Sequence, residues 1–418
     1  MLSEKLHRVG GRVARALAFF PRNRVSATKL SRVERKLTAA KQELRRTREA
    51  LSSLTKAVEA LPRYEFGSYT PGVSDWSRRW DDRPDRRVLL FAPRDYAGSF
   101  FKWATAINSH TDFAARLVGV RTHRFGYPLD LLFPAFSFSA DYSGLLELIE
   151  QSSVVHIKDE SGFYLRNLPP DLFAQFDGPR VFTHYGTFAR EHATDPDYMR
   201  HVLSFDARIA MTPDLCFEWF DGAYIPHAVD SDRFEYSWQD GRVLGHSPSD
   251  YARKGTNTLL HAIEDLDVRL DLIEGVPHDE ALRRKATCNL FFDQAGPESQ
   301  GESPPATVIG WYGNSAIEAA VHGIPTIAHL SEAAFAGALR AGKPIRERCP
   351  IINTPLDEEG MRETIERYFA QSAEDRHELS LRTRAWIEEF HSYPVTGREL
   401  AAVYSRLCAK RQAAVTSG

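Results

Sequence analysis

The sequence lacks the patterns that mark several large classes of protein. It has no apolar run of about 18 residues or more, which argues against a membrane-spanning helix. Its four cysteines (Cys216, Cys288, Cys349 and Cys408) lie at least 59 residues apart, so no CxxC pair predicts a zinc or redox site. Sparse thiols are typical of a reducing compartment, and the N-terminal apolar stretch is too short for a signal peptide. We therefore expect a cytoplasmic protein.

Charge is distributed unevenly along the chain. The formal net charge is −3, yet residues 1–62 contain fifteen Lys and Arg against five Glu, a net charge of +10. The remaining residues therefore carry a net charge of −13. Because an acidic globular part would repel phosphates, we do not expect a nucleic acid to be a partner.

Residues 30–61 repeat an apolar position at alternating steps of three and four, which is typical of a coiled-coil seam. The positions are Leu30, Val33, Leu37, Ala40, Leu44, Thr47, Leu51, Leu54, Val58 and Leu61. Charged flanks leave only this narrow seam apolar, which favours a coiled coil over a helix packed on its own domain. We predict a coiled-coil helix over 26–62 and a homo-oligomer formed through 30–61, of undetermined strand number and direction.

Residues 1–25 form a basic amphipathic segment. Such a segment can lie at the inner face of an anionic membrane, which would make the protein peripheral to it. A solvated tail and a partner-binding arm are the alternatives. Residues 63–86 are rich in Ser, Arg, Asp and Pro and are interpreted as a linker.

Residues 87–225 alternate short apolar runs with helical patterns, which predicts a parallel α/β sheet. A strand over 87–93 leads into a loop with Gly98 and then a helix, the opening unit of a doubly wound domain. No GxGxxG sequence supports a dinucleotide site. A later strand ends at His184, where a binding role and a structural role are equally compatible with the pattern.

Residues 241–385 form a second α/β domain, after an interdomain linker over 226–240. Lys254 precedes a helix that begins near Thr256, and Glu318 lies one turn into a helix that opens at 313–315. Free backbone N–H groups at helix starts favour phosphates, lysine adds positive charge, and a carboxylate can accept sugar hydroxyls. Lys254 or Glu318 alone could be an ordinary solvent-exposed charge. The presence of both residues, each near a helix start and in this order, favours a nucleoside diphosphate site.

Two segments of this second domain resemble the donor domain of retaining GT-B glycosyltransferases of family 4, the glycogen-synthase-like group. They are HSPS…KGT over 246–256 and GNSAIEAAVHGIP over 313–325. The sequence YIPHAVD over 224–230 looks like the interdomain IPNGVD element of that group. His184-Tyr185-Gly186 is similar to the HxHG loop of some bacterial members. The resemblance covers about residues 87–400.

The resemblance implies the GT-B fold, an α/β architecture in which two Rossmann-like domains face each other across a cleft. Residues 87–225 would be the acceptor domain, and a helix over 386–410 would pack back towards it. The implied activity is that of a hexosyltransferase, moving a sugar from a nucleotide sugar to a glycan, lipid or protein with retention of configuration. Neither a cofactor nor a metal is implied.

The resemblance also assigns site residues. Lys254 would bind the diphosphate, Glu318 the ribose hydroxyls, and the Gly98 loop would approach the phosphates. His184 would face the donor sugar as the catalytic residue. The other predicted donor-binding residues are His246, Arg253, Gly255, Asn314 and Ser315.

The sequence departs from the family pattern at two positions. The family places a glutamate eight residues before Glu318, where this chain has Gly310, and a family arginine after the first strand of the domain is absent. His246 and Arg253 are the nearest replacements for that arginine. Two other functions are therefore alternatives to the transferase. One is an inactive GT-B scaffold that recruits partners through its coiled coil, and the other is a nucleotide-sugar epimerase.

Overall fold

The computed structural model describes residues 67–68, 74–123, 126–133, 143–158, 173, 176–296 and 308–417. The chain divides into two compact units, 1–63 and 64–418, and every described residue belongs to the second. The predicted coiled coil over 26–62 and the basic segment over 1–25 lie outside the described residues. Among the helices that are described, none is long and apolar enough to cross a membrane.

The first sheet is built from strands of the first half of the chain. They are β1 (Gly67–Ser68), β2 (Arg87–Arg94), β3 (Ala114–Arg121), β4 (Leu131–Leu132), β5 (Val154–Lys158), β6 (Arg180–His184), β7 (Ala207–Ala210) and β8 (Ala223–Tyr224). Their spatial order is β1-β4-β3-β2-β5-β6-β7-β8. All pairs are parallel except β1 with β4.

Helices cover both faces of this sheet. They are α1 (Ser74–Asp81), α2 (Ser99–His110), α3 (Ser143–Glu150), α4 (Gly186–Glu191) and α5 (Pro196–Leu203). Side chains alternate across the central strand β2, so Leu89 and Phe91 enter one core cluster while Val88 and Leu90 enter the other. A strand buried on both faces reads as a continuous apolar run, which is why the sequence predicted β2 correctly.

The second sheet is entirely parallel. Its strands are β9 (Val243–His246), β10 (Arg269–Leu272), β11 (Leu290–Gln294), β12 (Thr326–Ala328) and β13 (Ile352–Asn353), in the order β10-β9-β11-β12-β13. Its helices are α6 (Tyr251–Lys254), α7 (Thr256–Ala262), α8 (His278–Lys285), α9 (Asn314–Ala320), α10 (Glu332–Arg340) and α11 (Glu358–Phe369). The predicted helix starts near Thr256 and Gly313 are both present.

Two C-terminal helices connect the sheets, α12 (Ala373–Phe390) and α13 (Tyr393–Ser417). α13 packs on α2, and the hydroxyl of its Tyr404 lies 2.7 Å from Nδ1 of His156 in β5. The single helix expected over 386–410 is interrupted, because the backbone at His391 and Ser392 bridges to Val229 instead of continuing the helix.

Strand order also locates the ligand-binding edge of each sheet. In the first sheet the order reverses between β2 and β5, and in the second between β9 and β11. Ligands of open α/β sheets bind beyond the carboxyl ends of the strands at such a switch point. The side chains that follow these four strands are therefore the first candidates for a ligand-binding site.

Candidate functional site

A cavity of about 570 Å³ lies between the carboxyl ends of the two sheets. The wall from the first sheet consists of residues that follow β2, β3, β6, β7 and β8. The opposite wall consists of residues after β9, β10 and β11 and at the start of α9. Five of the nine predicted site residues line it: Arg253, Lys254, Asn314, Ser315 and Glu318.

Lys254 lies at the end of α6 and is already engaged by the protein. Its Nζ is 2.9 Å from Oδ1 of Asp293 and 2.7 Å from Oε1 of Gln294, both at the end of β11. The other oxygen of Asp293 accepts a hydrogen bond of 2.6 Å from the backbone N–H of Gly313. Asp293 therefore ties the lysine to the start of α9, and Lys254 has one N–H left for a ligand.

Arg253 and Ser315 are the open donors of this wall. The Arg253 side chain is exposed, lines the cavity and has no hydrogen bond or ion pair among the described residues. Ser315 Oγ is buried without a hydrogen-bond partner in the described part of the chain. Guanidinium and hydroxyl groups without partners are suited to an anion with several acceptor oxygens, such as a phosphate.

Glu318 is only 2% exposed and is surrounded by donors. Lys285 Nζ lies 2.6 Å from Oε2, while His278 Nε2 and Asn314 Nδ2 lie 3.0 Å and 2.5 Å from Oε1. A carboxylate has about four acceptor positions, and these donors fill three of them. Glu318 can therefore accept one ligand hydroxyl as it stands, and a second only by displacing a protein donor.

The charges around Glu318 come from both sheets. Lys102, on α2 of the first domain, donates to Asn314 Oδ1 at 2.7 Å and lies 3.5 Å from Glu318 Oε1. Burial would raise the pKa of Glu318, but Lys285, Lys102 and His278 together hold that pKa well below its ordinary value. Burial lowers the pKa of Lys102, and the nearby Lys285 lowers it further. A second contact crosses the cleft where the Tyr127 and His278 rings approach to 4.4 Å.

The structure does not bring His184 or His246 to the cavity. His184 is fully buried, with Nδ1 3.1 Å from the Tyr198 hydroxyl and aromatic rings on its other sides. His246 is also fully buried and joins strand to helix, through Phe292 O at 2.9 Å and Thr256 Oγ1 at 2.9 Å. Burial lowers the pKa of His184 to about 3 and of His246 to about 4, so both are neutral and structural in this arrangement.

Gly98 and Gly255 shape the site without lining it. Both have positive φ, +60° and +71°, which favours glycine. A Cβ on Gly98 would lie 3.1 Å from the Tyr127 ring, and one on Gly255 would lie 2.3 Å from the carbonyl oxygen of Ala295. These glycines therefore allow the backbone to approach the Tyr127 ring and the Ala295 carbonyl closely.

Gly310 is packed too tightly to hold the glutamate of the family pattern. A Cβ there would lie 2.1 Å from Ser331 Oγ. Among the described residues no group of His, Cys, Asp and Glu could hold a metal ion. The residues that sequence reasoning missed are Lys102, His278, Lys285 and Asp293. Lys102 gave no local signal because its partner Asn314 is 212 positions away.

Comparison with solved structures identifies the architecture. HepE of Anabaena, in complex with UDP and glucose, is similar with a TM-score of 0.52 and 12% identity, covering 77% of this chain and all of HepE. An α-glucosyltransferase, in complex with UDP and a 13-mer DNA containing an HMU base, has a TM-score of 0.52 and 10% identity, covering 76% of this chain and 99% of its own. The fold is GT-B. No protein-family model and no curated protein matches the sequence.

A third similar structure is the N-terminal domain of Candida albicans trehalose-6-phosphate phosphatase. Its TM-score is 0.50 at 10% identity, covering 76% of this chain and 96% of that domain. At such identities the likeness concerns the fold. The predicted α/β GT-B architecture of two Rossmann-like domains across a cleft is thus confirmed, whereas the preceding coiled coil stays a prediction.

Proposed function

We propose that this GT-B protein is a glycosyltransferase that takes a sugar, most simply a hexose, from a nucleoside diphosphate donor. The observation that carries the proposal is the pair of open donors, Arg253 and Ser315, in a cavity at the carboxyl ends of both sheets. Two structures that share the fold are complexes with UDP, which supports a nucleotide in this cavity.

In this proposal Arg253 and Lys254 hold the diphosphate. When the bond between the anomeric carbon and the diphosphate breaks, negative charge grows on the phosphate oxygens. Positive groups that are already in place stabilise that charge without having to reorganise. Arg253 supplies the unpaired charge, and Lys254 supplies the one N–H that Asp293 and Gln294 leave open.

Glu318 and Asn314 are the proposed ribose ligands. The one open acceptor position on Glu318 would take a ribose hydroxyl, and a second hydroxyl would have to displace Asn314 or His278.

We base retention of configuration on the resemblance of residues 313–325 to the family 4 donor domain. The roles proposed for His246, Gly98 and Gly255 are structural, and we do not assign a step to His184.

A turnover assay tests the transferase directly. UDP-glucose is offered with a mixture of glycan acceptors, and released UDP is measured. Arg253→Met should lower kcat/KM about 10- to 100-fold, because a hydrogen-bonded charge contributes about 1.5–3 kcal/mol. The matched control is Arg382→Met, another exposed arginine, which does not line the cavity. Equal losses in both variants, or in neither, would argue against the assignment.

Lys254→Ala is a less clean test than the arginine variant. It leaves Asp293, whose side chain has no solvent exposure, without its cation. Removing one partner of a buried pair costs about 3–5 kcal/mol of stability. A double variant, Lys254→Ala with Asp293→Asn, avoids the uncompensated charge and separates lost stability from lost activity.

The inactive scaffold is the second candidate, and Gly310 is the observation that favours it. Ser331 occupies the space of the family's sugar-holding glutamate. On this hypothesis the protein binds a nucleoside diphosphate weakly or not at all and recruits partners through an oligomer formed by 30–61. Calorimetry that finds no saturable binding of UDP or of any other nucleoside diphosphate would favour the scaffold. Contact of residues 1–25 with an anionic membrane is a separate proposal, testable by vesicle sedimentation.

A further inference from the structure

The first-domain wall of the cavity carries a continuous row of aromatic rings. Each ring contacts the next, and every member lines the cavity. In spatial order the row, here called the aromatic belt, consists of His227, Tyr185, Tyr96, His123, Tyr127 and His278. Five of these rings come from the first domain and the linker that follows it, and His278 closes the row from α8.

The ring spacings show that the belt is one surface. Tyr185 and Tyr96 are stacked at 6.1 Å, and Tyr96 contacts His123 edge-on at 5.9 Å. His123 meets Tyr127 at 5.1 Å, and the other end closes with His227 5.8 Å from Tyr185. The loops after β2, β3 and β6 contribute Tyr96, His123, Tyr127 and Tyr185, and His227 follows β8.

Rings of this kind suit a ligand that has one apolar face and polar edges. Tyrosine and histidine present a flat apolar body with a polar tip. A pyranose has the matching surface, since its axial C–H groups form an apolar face and its hydroxyls lie around the rim. The belt contains three phenols and three imidazoles, so a polar tip lies beside each apolar ring.

Two of the cations near the belt are already paired with carboxylates, which favours a neutral ligand over an anion. Lys158 lies 3.1 Å from Asp95 and 2.6 Å from Ser99 Oγ, all three buried at the end of β5 and the loop after β2. Arg190 donates to Asp214 at 2.6 Å. Lys158 and Arg190 are thus neutralised by carboxylates of their own domain, Arg94 donates to the Tyr96 hydroxyl at 3.0 Å, and the open cation Arg253 lies on the opposite wall.

His227 provides a specific polar contact at one end of the belt. Its side chain is 4% exposed and lines the cavity, and its Nδ1 is buried with no hydrogen-bond partner among the described residues. A buried polar atom without a partner costs free energy until a ligand satisfies it. Burial and the nearby Lys102 and Lys158 hold the pKa of His227 well below its usual range, so the imidazole is neutral.

We propose that the aromatic belt is the acceptor subsite and that it binds a neutral pyranose ring, which makes a glycan the acceptor. The inference rests on the proposed transferase function for the word acceptor, whereas pyranose binding by the belt stands independently. The sugar would stack on Tyr96 and Tyr185 and place a hydroxyl near His227, facing the donor site across the cleft.

The test is saturation-transfer NMR with methyl pyranosides (glucoside, galactoside, mannoside and N-acetylglucosaminide), with and without saturating UDP. At least one should bind, and its signal should be strongest on the protons of one ring face. Tyr96→Ala and Tyr185→Ala should weaken binding about five- to tenfold, a change of the size expected for loss of an aromatic contact. The Phe variants, which keep the rings, should stay within about threefold.

Tyr236→Ala is the matched control, because this tyrosine is exposed and does not line the cavity. It should not change pyranoside binding, and no variant should change UDP affinity. Wild type that binds UDP but no pyranoside would overturn the inference, as would Ala variants that bind normally. A preference for octyl or phenyl alcohols, or for glucose 6-phosphate, would overturn it too. Absence of UDP binding would instead count against the proposed function.

Discussion

Glu318 is a buried carboxylate that several parts of the chain hold in place. Lys285 comes from the adjacent helix α8, and Lys102 comes from across the cleft. Sequence reasoning found Glu318 because the helix around it resembles a known donor site. It could not find Lys102, since no spacing or motif links positions so far apart, nor could it find that protein donors already fill most of the acceptor positions on the carboxylate.

Replacing Glu318 tests this cluster at the residue scale. Glu318→Gln leaves two lysines near a neutral group and should lower the free energy of unfolding by about 3–5 kcal/mol at pH 7. The control is Glu280→Gln, which breaks an exposed pair with Arg283 and should change the free energy of unfolding far less, because solvent screens exposed pairs. Urea unfolding measures both.

The pH dependence of the same variant gives an independent check. Because the folded-state pKa of Glu318 is depressed, its contribution is fully present above the ordinary glutamate pKa of about 4.3. It is lost as the pH falls from there through the folded-state pKa. The gap between wild type and Glu318→Gln should therefore narrow below about pH 4. A gap that stays constant into acid would contradict the depressed pKa.

At the scale of elements, the junction between α6 and α7 positions two basic residues of the cavity, Arg253 and Lys254. Gly255 ends one helix and begins the next, and its left-handed backbone lets both pack against Ala295 at the end of β11. The sequence predicted this helix start from Lys-Gly-Thr. It could not predict Asp293 as the partner of Lys254, because that contact depends on β11 lying beside β9 in the sheet.

Two glycine variants separate backbone strain from crowding at this junction. Gly275 also has a positive φ, +61°, but nothing lies within 4 Å of its hypothetical Cβ. Gly275→Ala should cost about 1–2 kcal/mol through strain. Gly255→Ala should cost more, because the Ala295 carbonyl blocks the new carbon, and should weaken UDP binding as well. Equal thermal shifts for the two variants would contradict the packing described.

At the scale of the molecule, the fold could be predicted from the sequence, whereas the full set of residues that line the cleft could not. Apolar runs and helix starts follow from local sequence, and they were enough to assign two parallel α/β domains. The cavity depends on which loops face each other, and its aromatic row joins residues from positions 96 to 278. The expectation that His184 lies in the cleft failed for a related reason, since the strand end turns that side chain into the aromatic core.

Buried histidines should make the whole molecule sensitive to acid. Burial lowers the pKa of His156, His184 and His391 to about 3 and of His246 to about 4. The unfolded chain binds these protons below about pH 6.5 while the native state does not, so stability falls with pH in that range. Well below pH 6.5, each histidine contributes about 1.4 kcal/mol per pH unit.

Unfolding in urea between pH 7.5 and 4.5 measures this slope. His391→Gln should remove one histidine's share of it, whatever its effect on stability at neutral pH. A wild-type stability that is flat over this range would show that these histidines are accessible to protons in the native state.

The most direct test of the central claim is calorimetric titration of UDP into wild type, Arg253→Met and Arg382→Met. The cavity as described predicts saturable binding to wild type and to Arg382→Met, with affinity at least about tenfold weaker for Arg253→Met, since the lost contact is charge-assisted. Uridine, which has no phosphates, should bind all three alike. If wild type binds UDP no better than uridine, or if Arg253→Met binds UDP as wild type does, the cavity is not a nucleoside diphosphate site of the kind proposed.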